Sequence, residues 1–169
     1  ELVCSLETED DCNVAGGTYL GDGTTCNGSP CGGADGKEYL EIAGIDSYDE
    51  YGSPSNVTRT MTIPAGATIT GVGWNNVTLS AWDPSWGSEA GIMFHWESDG
   101  KDFAGYILIF EDEAAPGDFG PSTGFEDLTA DWNFSDADGE ILVEFFELYD
   151  DQPGVLDATW TNGDIYLTY

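Results

Sequence analysis

The sequence predicts an all-β fold: an antiparallel β-sandwich, jelly-roll-like, with a small disulfide-stapled segment at its N-terminus. Two observations predict it. After Gly36, short apolar runs alternate with turns rich in Gly, Pro, Asn and Asp, and no stretch shows a convincing helical period. Before it, all four cysteines lie in a segment with few large apolar side chains. Several short strands at regular spacing are typical of a sandwich. We therefore divide the chain into a stapled segment, residues 1–36, and a sandwich domain, residues 37–169.

Four apolar runs predict the first strands of the sandwich. The second run changes the phase of its alternation around Asn75 and Asn76, which predicts a β-bulge there. Asp99-Gly100 predicts a hairpin turn between the third and fourth runs. The four runs are residues 57–63, 68–82, 90–96 and 104–111.

The C-terminal region contains one ambiguous stretch and one clear one. "EILVEFFELYD", residues 140–150, fits an amphipathic helix or a strand, and its β-branched and aromatic residues favour a strand. In "ATWTNGDIYLTY" the Asn162-Gly163 pair favours a type I′ turn, which predicts a terminal hairpin. We expect its last strand to be an open edge that can pair with another chain. The edge-contact residues would be Ile165, Leu167 and Tyr169.

The cysteines are spaced Cys4-x7-Cys12-x13-Cys26-x4-Cys31. An even number of cysteines among Gly, Asn and Asp predicts two disulfides and an oxidising compartment. Zinc is the alternative, but zinc sites usually show close C-x2-C pairs, which this spacing lacks. All three possible pairings stay open.

The pattern "C-x7-C-x3-GGTYLGDGTTC-x4-C" covers residues 4–31. It resembles a short cysteine module found repeatedly in large secreted proteins of aquatic bacteria, where it often precedes a β-domain. The stretches "GVGWNN" and "SWGSEA", and the region from "DGEILVEFF" to the last residue, resemble uncharacterised secreted β-domains of the same kind of bacteria. The resemblance implies export and a cell-surface or matrix setting. It implies no particular activity.

The charge of the chain excludes some classes of partner. There are 33 acidic and three basic residues, which give a formal net charge of −30. Nucleic acid is an unfavourable partner because phosphate neutralisation needs Lys and Arg. Anionic membrane surfaces are unfavourable for the same reason, and no run approaches the roughly 20 apolar residues of a membrane helix, so we expect no membrane insertion.

Three Asp-rich loops offer the carboxylate and carbonyl oxygens that calcium prefers. The alternative for each loop is turn-forming Asp with solvated charge. We prefer the third loop, since adjacent carboxylates repel each other unless a cation lies between them. The candidate ligands are Asp99 and Asp102 in the first loop; Asp136, Asp138 and Glu140 in the second; and Asp150, Asp151 and Asp157 in the third.

Aromatic residues and the single histidine bear on binding and catalysis. Trp82 and Trp86 lie in "SAWDPSWGSE", where they could cap the core, stack on sugar rings or contact a neighbouring subunit. His95 alternates with two aromatic residues on a predicted strand, which favours a structural role. No G-x-S-x-G elbow is present, and carboxylate pairs do not discriminate in so acidic a chain. We therefore do not expect an enzyme.

Together these observations predict a secreted, bacterial, calcium-associated structural protein at or outside the cell surface. Its expected partners are copies of itself, in a homo-oligomer or filament, or other matrix proteins. The alternative is a carbohydrate-binding module that binds polysaccharide through Trp82 and Trp86. A small secreted hydrolase is the third hypothesis.

Overall fold

The computed structural model describes residues 36–64, 66–98, 101–128, 134–135 and 139–169. These residues form eleven β-strands and no helix, so within the described ranges no helix could span a membrane. The strands are β1 (Lys37–Glu41), β2 (Ile45–Ser47), β3 (Val57–Thr62), β4 (Thr68–Ile69), β5 (Gly71–Ala81), β6 (Ala90–Ser98), β7 (Lys101–Ile107), β8 (Gly117–Asp127), β9 (Phe134–Ser135), β10 (Glu140–Glu147) and β11 (Ala158–Thr168).

Two antiparallel sheets make up the sandwich. Sheet A has the order β1-β11-β5-β8, with the short β2 also paired to β11, and sheet B has the order β3-β10-β6-β7. The two-residue strands β4 and β9 pair with each other. The eight principal strands therefore have the order of a jelly roll, the double-sheet architecture of two Greek keys, with β6 and β7 adjacent in sheet B. The predicted antiparallel β-sandwich is confirmed.

The core lies between the two sheets and is built from the inward positions of both. On β10 the alternation places Ile141, Val143 and Phe145 inward, all fully buried. Phe145 meets Trp160 of β11 edge-on, with ring centroids 6.2 Å apart, so these two side chains join sheet B to sheet A. Each such burial contributes roughly 1.5–3 kcal/mol.

Several expectations about single elements are confirmed. Residues 140–147 form strand β10 and not a helix. The pairing of β5 with β8 shifts register between Trp74 and Val77, and Asn76 has a φ of 50°, as a bulge at that point requires. Strands β6 and β7 pair as a hairpin with Ser98 opposite Lys101. The two turn residues between them lie outside the described residues.

The expected terminal hairpin is wrong. Strand β11 runs without a turn through Asn162 and Gly163, and its pairing with β5 shifts register on either side of Asn162. Gly163, at a φ of 106°, forms an irregularity that packs closely against Val77, where a Cβ would lie 2.7 Å from the Val77 Cα. A bulge and a turn both need residues that tolerate positive φ, so the same two residues serve either.

The expected edge strand is wrong for the same reason. Because β11 does not fold back, it lies inside sheet A with β1 on one side and β5 on the other. Ile165 and Leu167 are buried in the core, and the Tyr169 N–H donates to the carbonyl of Gly36. The last strand therefore has no open edge with which to recruit another chain.

Strand register defines the two ends of the sandwich. Ala158 lies opposite both Ser47 and Ala81, and Glu147 lies opposite Ala90. The loops β2–β3, β5–β6, β7–β8 and β10–β11 therefore all emerge at one end, which we call the loop end. The β6–β7 hairpin and the start of β10 lie at the opposite end.

Candidate functional site at the loop end

A carboxylate lies inside the sandwich at the loop end. The alternation that sends Ile141, Val143 and Phe145 into the core also sends Glu147 inward, and Glu147 has 0% of its surface exposed. The Ser47 hydroxyl donates to Glu147 Oε1 at 2.6 Å. Glu147 Oε2 is buried and makes no hydrogen bond within the described part of the chain.

Asp157 repeats this arrangement beside Glu147. It is 2% exposed, and the Ser85 hydroxyl donates to its Oδ1 at 2.6 Å. Its Oδ2 is buried and, among the residues described, has no hydrogen-bond partner. Ser47 connects the two acids, because its carbonyl accepts from the Asp157 N–H at 3.0 Å while its hydroxyl bonds Glu147. A third buried oxygen without a hydrogen bond inside the described ranges, Asp150 Oδ1, comes from the β10–β11 loop.

Burial and the charges of neighbouring acids raise the pKa values of the two inner acids. Burial is the largest cause at Glu147 and raises its pKa to about 8, with smaller contributions from the charges of Asp157, Glu89 and Asp150. Burial also raises the pKa of Asp157, and Asp150 is the first of the charges that add to it. The loop end therefore gathers acids where water cannot fully solvate a negative charge, so Glu147 holds its proton more tightly than an exposed acid does.

A hydrogen-bond network braces the loops around these acids. The Asp49 carboxylate accepts from the Ser53 hydroxyl and the Gly154 N–H, and the Ser53 bond is the main reason that its pKa is lowered. The Asn56 amide nitrogen donates to the Asp49 carbonyl at 3.1 Å and to Glu144 Oε1 at 2.8 Å. These bonds tie the β2–β3 loop to both β10 and the β10–β11 loop.

None of the three basic residues of the chain lies close to the carboxylate cluster of Glu147, Asp157 and Asp150. Lys37 lies over the Tyr166 ring, 4.5 Å from its centroid, on the part of β1 farthest from the loop end. Arg59 is exposed and its Nη1 donates to the neighbouring carbonyl of Thr58. Lys101 lies opposite Ser98 on β6. Ser98 is eight residues along β6 from Ala90, the residue opposite Glu147, so the backbone of Lys101 lies about 26 Å from that of Glu147.

Two exposed tryptophans stand at the same end. Trp82 is 45% exposed and Trp86 is 44% exposed, so each leaves nearly half of its surface open to solvent. The backbone that carries them is fixed: the Trp82 N–H donates to the Asp157 carbonyl at 3.0 Å, and the Trp86 N–H donates to Glu89 Oε2 at 2.8 Å. The indoles are thus held beside the carboxylate cluster with part of their surface in solvent.

The structure brings together part of the predicted calcium set. Asp150 and Asp157 lie in the cluster, whereas Asp151 is exposed and Glu140 is exposed at the opposite end. Only the backbone of Asp102 is described, in β7 opposite Glu97. Within the described residues no three or more His, Cys, Asp or Glu side chains are already arranged to hold a metal ion. The predictions for Asp99, Asp136, Asp138, Cys4, Cys12, Cys26 and Cys31 lie outside the described residues.

Glu147 was not among the residues singled out by sequence. The signal that identifies it is its spacing: it follows Ile141, Val143 and Phe145 at steps of two, so the strand interpretation alone places it inward. A charged residue on the inward register of a core strand is rare unless it is paired.

The comparisons with known proteins find similarity among solved structures and not among families or curated proteins. No protein-family model matches the chain, and no curated protein matches it. One similar solved structure is described as "Structure of infectious bursal disease virus Gt strain"; it has 16% sequence identity and a TM-score of 0.38. The match covers 79% of this chain and 32% of that chain, so the present chain spans about a third of that protein's length.

Proposed function

We propose that this protein is a secreted, calcium-associated structural protein that acts at or outside a bacterial cell surface by associating with itself or with other matrix proteins. The observation that carries the proposal is the presence, at one end of the sandwich, of two exposed tryptophans beside buried carboxylate oxygens that have no hydrogen bond within the described ranges. Partly exposed aromatic side chains on a fixed backbone are the usual anchors of protein interfaces.

The charge of the chain makes association depend on cations. At −30 per subunit, two copies repel each other, and simple salt screens that repulsion without joining them. A divalent ion neutralises carboxylates directly, and the calcium sites of extracellular modules typically work at roughly 10⁻⁴–10⁻³ M calcium. Association through the loop end should therefore need calcium and should fail in chelator.

The loop end is a better contact surface than the sheet edges. Strand β8, at one edge of sheet A, carries Asp118, Glu126 and Asp127 and has Pro121 within it. Charged residues and proline on an edge strand prevent pairing with another chain. Since β11 is interior, the contact proposed here relies on side chains of the loops and not on strand addition.

The test is analytical ultracentrifugation of the whole chain in calcium, in sodium of equal ionic strength, and in chelator. We expect larger species in calcium alone. Replacing both Trp82 and Trp86 by Ala should abolish them, while Tyr39→Ala, which removes an equally exposed aromatic ring from β1, should not. A monomer in all three conditions at high concentration would contradict the proposal, as would an equal effect of Tyr39→Ala.

A carbohydrate-binding module is the second candidate function. It is favoured by the fixed backbone of the β5–β6 loop, where the Ser85 N–H also donates to the Trp82 carbonyl at 2.7 Å. A preorganised pair of exposed indoles loses little entropy when it stacks on a neutral sugar ring. The test is binding to an array of neutral polysaccharides. This function would be favoured over assembly if the monomer binds a glycan, if Trp82→Ala abolishes that binding and if Tyr39→Ala does not. If the protein binds no glycan, this function is contradicted.

A further inference from the structure

Two carboxylate oxygens are buried at the loop end without a hydrogen bond from any described residue: Glu147 Oε2 and Asp157 Oδ2. Both residues are more than nine-tenths buried, and each uses its other oxygen to accept from a serine, Ser47 or Ser85. A buried polar atom without a partner costs about 1–3 kcal/mol, and a charged one costs more. Folded proteins rarely keep two such atoms side by side unless something else binds them.

The surroundings limit what that partner can be. It cannot be a lysine or arginine of this chain, because Lys37, Arg59 and Lys101 are all engaged or placed elsewhere. A single proton shared by the two inner carboxylates still leaves one negative charge between them and leaves the nearby Asp150 Oδ1 without a partner. A divalent cation neutralises two carboxylates at once and accepts all three oxygens as ligands.

We infer that Glu147 and Asp157 bind one calcium ion at the loop end, with Asp150 as the third carboxylate ligand. Calcium fits better than magnesium because it accepts six to eight oxygens in irregular geometry, whereas magnesium requires a near-ideal octahedron. Backbone carbonyls and water complete the shell. The three acids are not already arranged around one point, so their carboxylates come together only as the ion binds.

The same contacts distinguish ligands from supporting residues. Ser47 and Ser85 each hydrogen-bond one oxygen of an inner carboxylate and so orient the other oxygen, as residues that hydrogen-bond metal ligands do. Asp49 is a brace and not a ligand, because its oxygens already accept from Ser53 and Gly154. Asp151 is exposed and is not a ligand, so the third loop supplies fewer calcium ligands than the sequence predicted.

This inference deepens the calcium dependence of the proposed function and links it to the tryptophans. The Asp157 carbonyl accepts the Trp82 N–H, so an ion bound by the Asp157 carboxylate also fixes the loop that carries both indoles. Calcium then acts within one subunit, by ordering the contact surface, before any second copy is present.

The experiment is calorimetric titration of the whole chain with calcium chloride, at a concentration where ultracentrifugation shows a monomer. We expect one ion per chain in the wild type. Glu147→Gln and Asp157→Asn should each weaken binding by about tenfold or more, the loss typical even of outer-shell partners. The charge-matched control Glu140→Gln, at the opposite end, should bind as the wild type does, and Asp151→Asn, which removes a nearby charge but no ligand, should lose much less affinity than either of the two inner-acid variants.

Thermal unfolding in sodium checks that each variant folds. No binding by the wild type, wild-type binding by a folded Glu147→Gln, or an equal loss in Asp151→Asn would each overturn the site; the wild-type titration decides even where a variant does not fold. The outcomes separate the two proposals, since a monomer that binds calcium but never associates keeps the site and removes the assembly. Calcium-dependent association with no ion bound at the loop end would keep the assembly and remove the site.

Discussion

Replacing Glu147 by Gln should change how the stability of the protein depends on pH. The folded-state pKa of Glu147 is raised to about 8, against an ordinary value of 4.5 in the unfolded chain. The folded state therefore holds the proton more tightly than the unfolded state does. The stabilisation is complete below the unfolded pKa, falls as pH rises between the two values, and is lost above the folded pKa.

The size of the effect follows from the same two values. Each pKa unit corresponds to about 1.4 kcal/mol, so the wild type should lose on the order of 3 kcal/mol of unfolding free energy between pH 4.5 and neutral pH through this group alone. Glu147→Gln has no proton to lose and should not show this decline. Its unpartnered amide shifts the free energy by a similar amount at every pH and leaves the slope unaffected.

The assay is urea unfolding of both proteins at several pH values between the two pKa values, with chelator present so that no divalent ion competes with the proton. The measured quantity is the difference between the two slopes of unfolding free energy against pH. Acids distant from Glu147 titrate alike in both proteins, so their contributions cancel in the difference. Glu140→Gln, an exposed acid, should retain the wild-type slope. Equal slopes for the wild type and Glu147→Gln would refute the reasoning.

Two further predictions concern the sheet surface and the stapled segment. Gly73→Ala should destabilise the protein by about 1–3 kcal/mol in urea unfolding, because its Cβ would lie 2.1 Å from the Tyr166 ring. In a Tyr166→Ala background the same Gly73 substitution should cost much less, and an equal cost in both backgrounds would contradict the contact. The intact mass of the native protein should show two disulfides; free thiols or bound zinc would contradict this.

The sequence predicted the strands whose apolar residues alternate and missed those without that pattern. Strand β8, "GDFGPSTGFED", contains three glycines and a proline, which usually mark turns. It forms a strand because it lies at an edge, where the missing N–H of Pro121 breaks no inner ladder and where Gly124 leaves room for the Trp74 ring. Such a strand is defined by its neighbour β5 and not by its own composition.

The residues of the candidate site also divide into those that local sequence predicts and those that only the folded structure brings together. Local sequence identified Asp150 and Asp157, because an Asp-rich turn is visible in one stretch of chain. It did not identify Ser47 and Ser85, which reach the acids from residues far away along the chain. It also misplaced β11, since Asn162 and Gly163 suit a turn and a bulge equally, and only the partners on both sides of the strand decide between them.

The position of β11 between β1 and β5 also governs how the chain can acquire its fold during synthesis. Sheet A cannot assemble until the last strand has left the ribosome, and until then β1 and β5 both present unpaired backbone edges. Incomplete chains in that condition are prone to stick to one another. Every acidic residue except Asp164 precedes β11, so such chains are already strongly negative and repel one another. We therefore expect the acidity of this protein to oppose aggregation of its nascent form, a benefit that is independent of any ion or partner bound later.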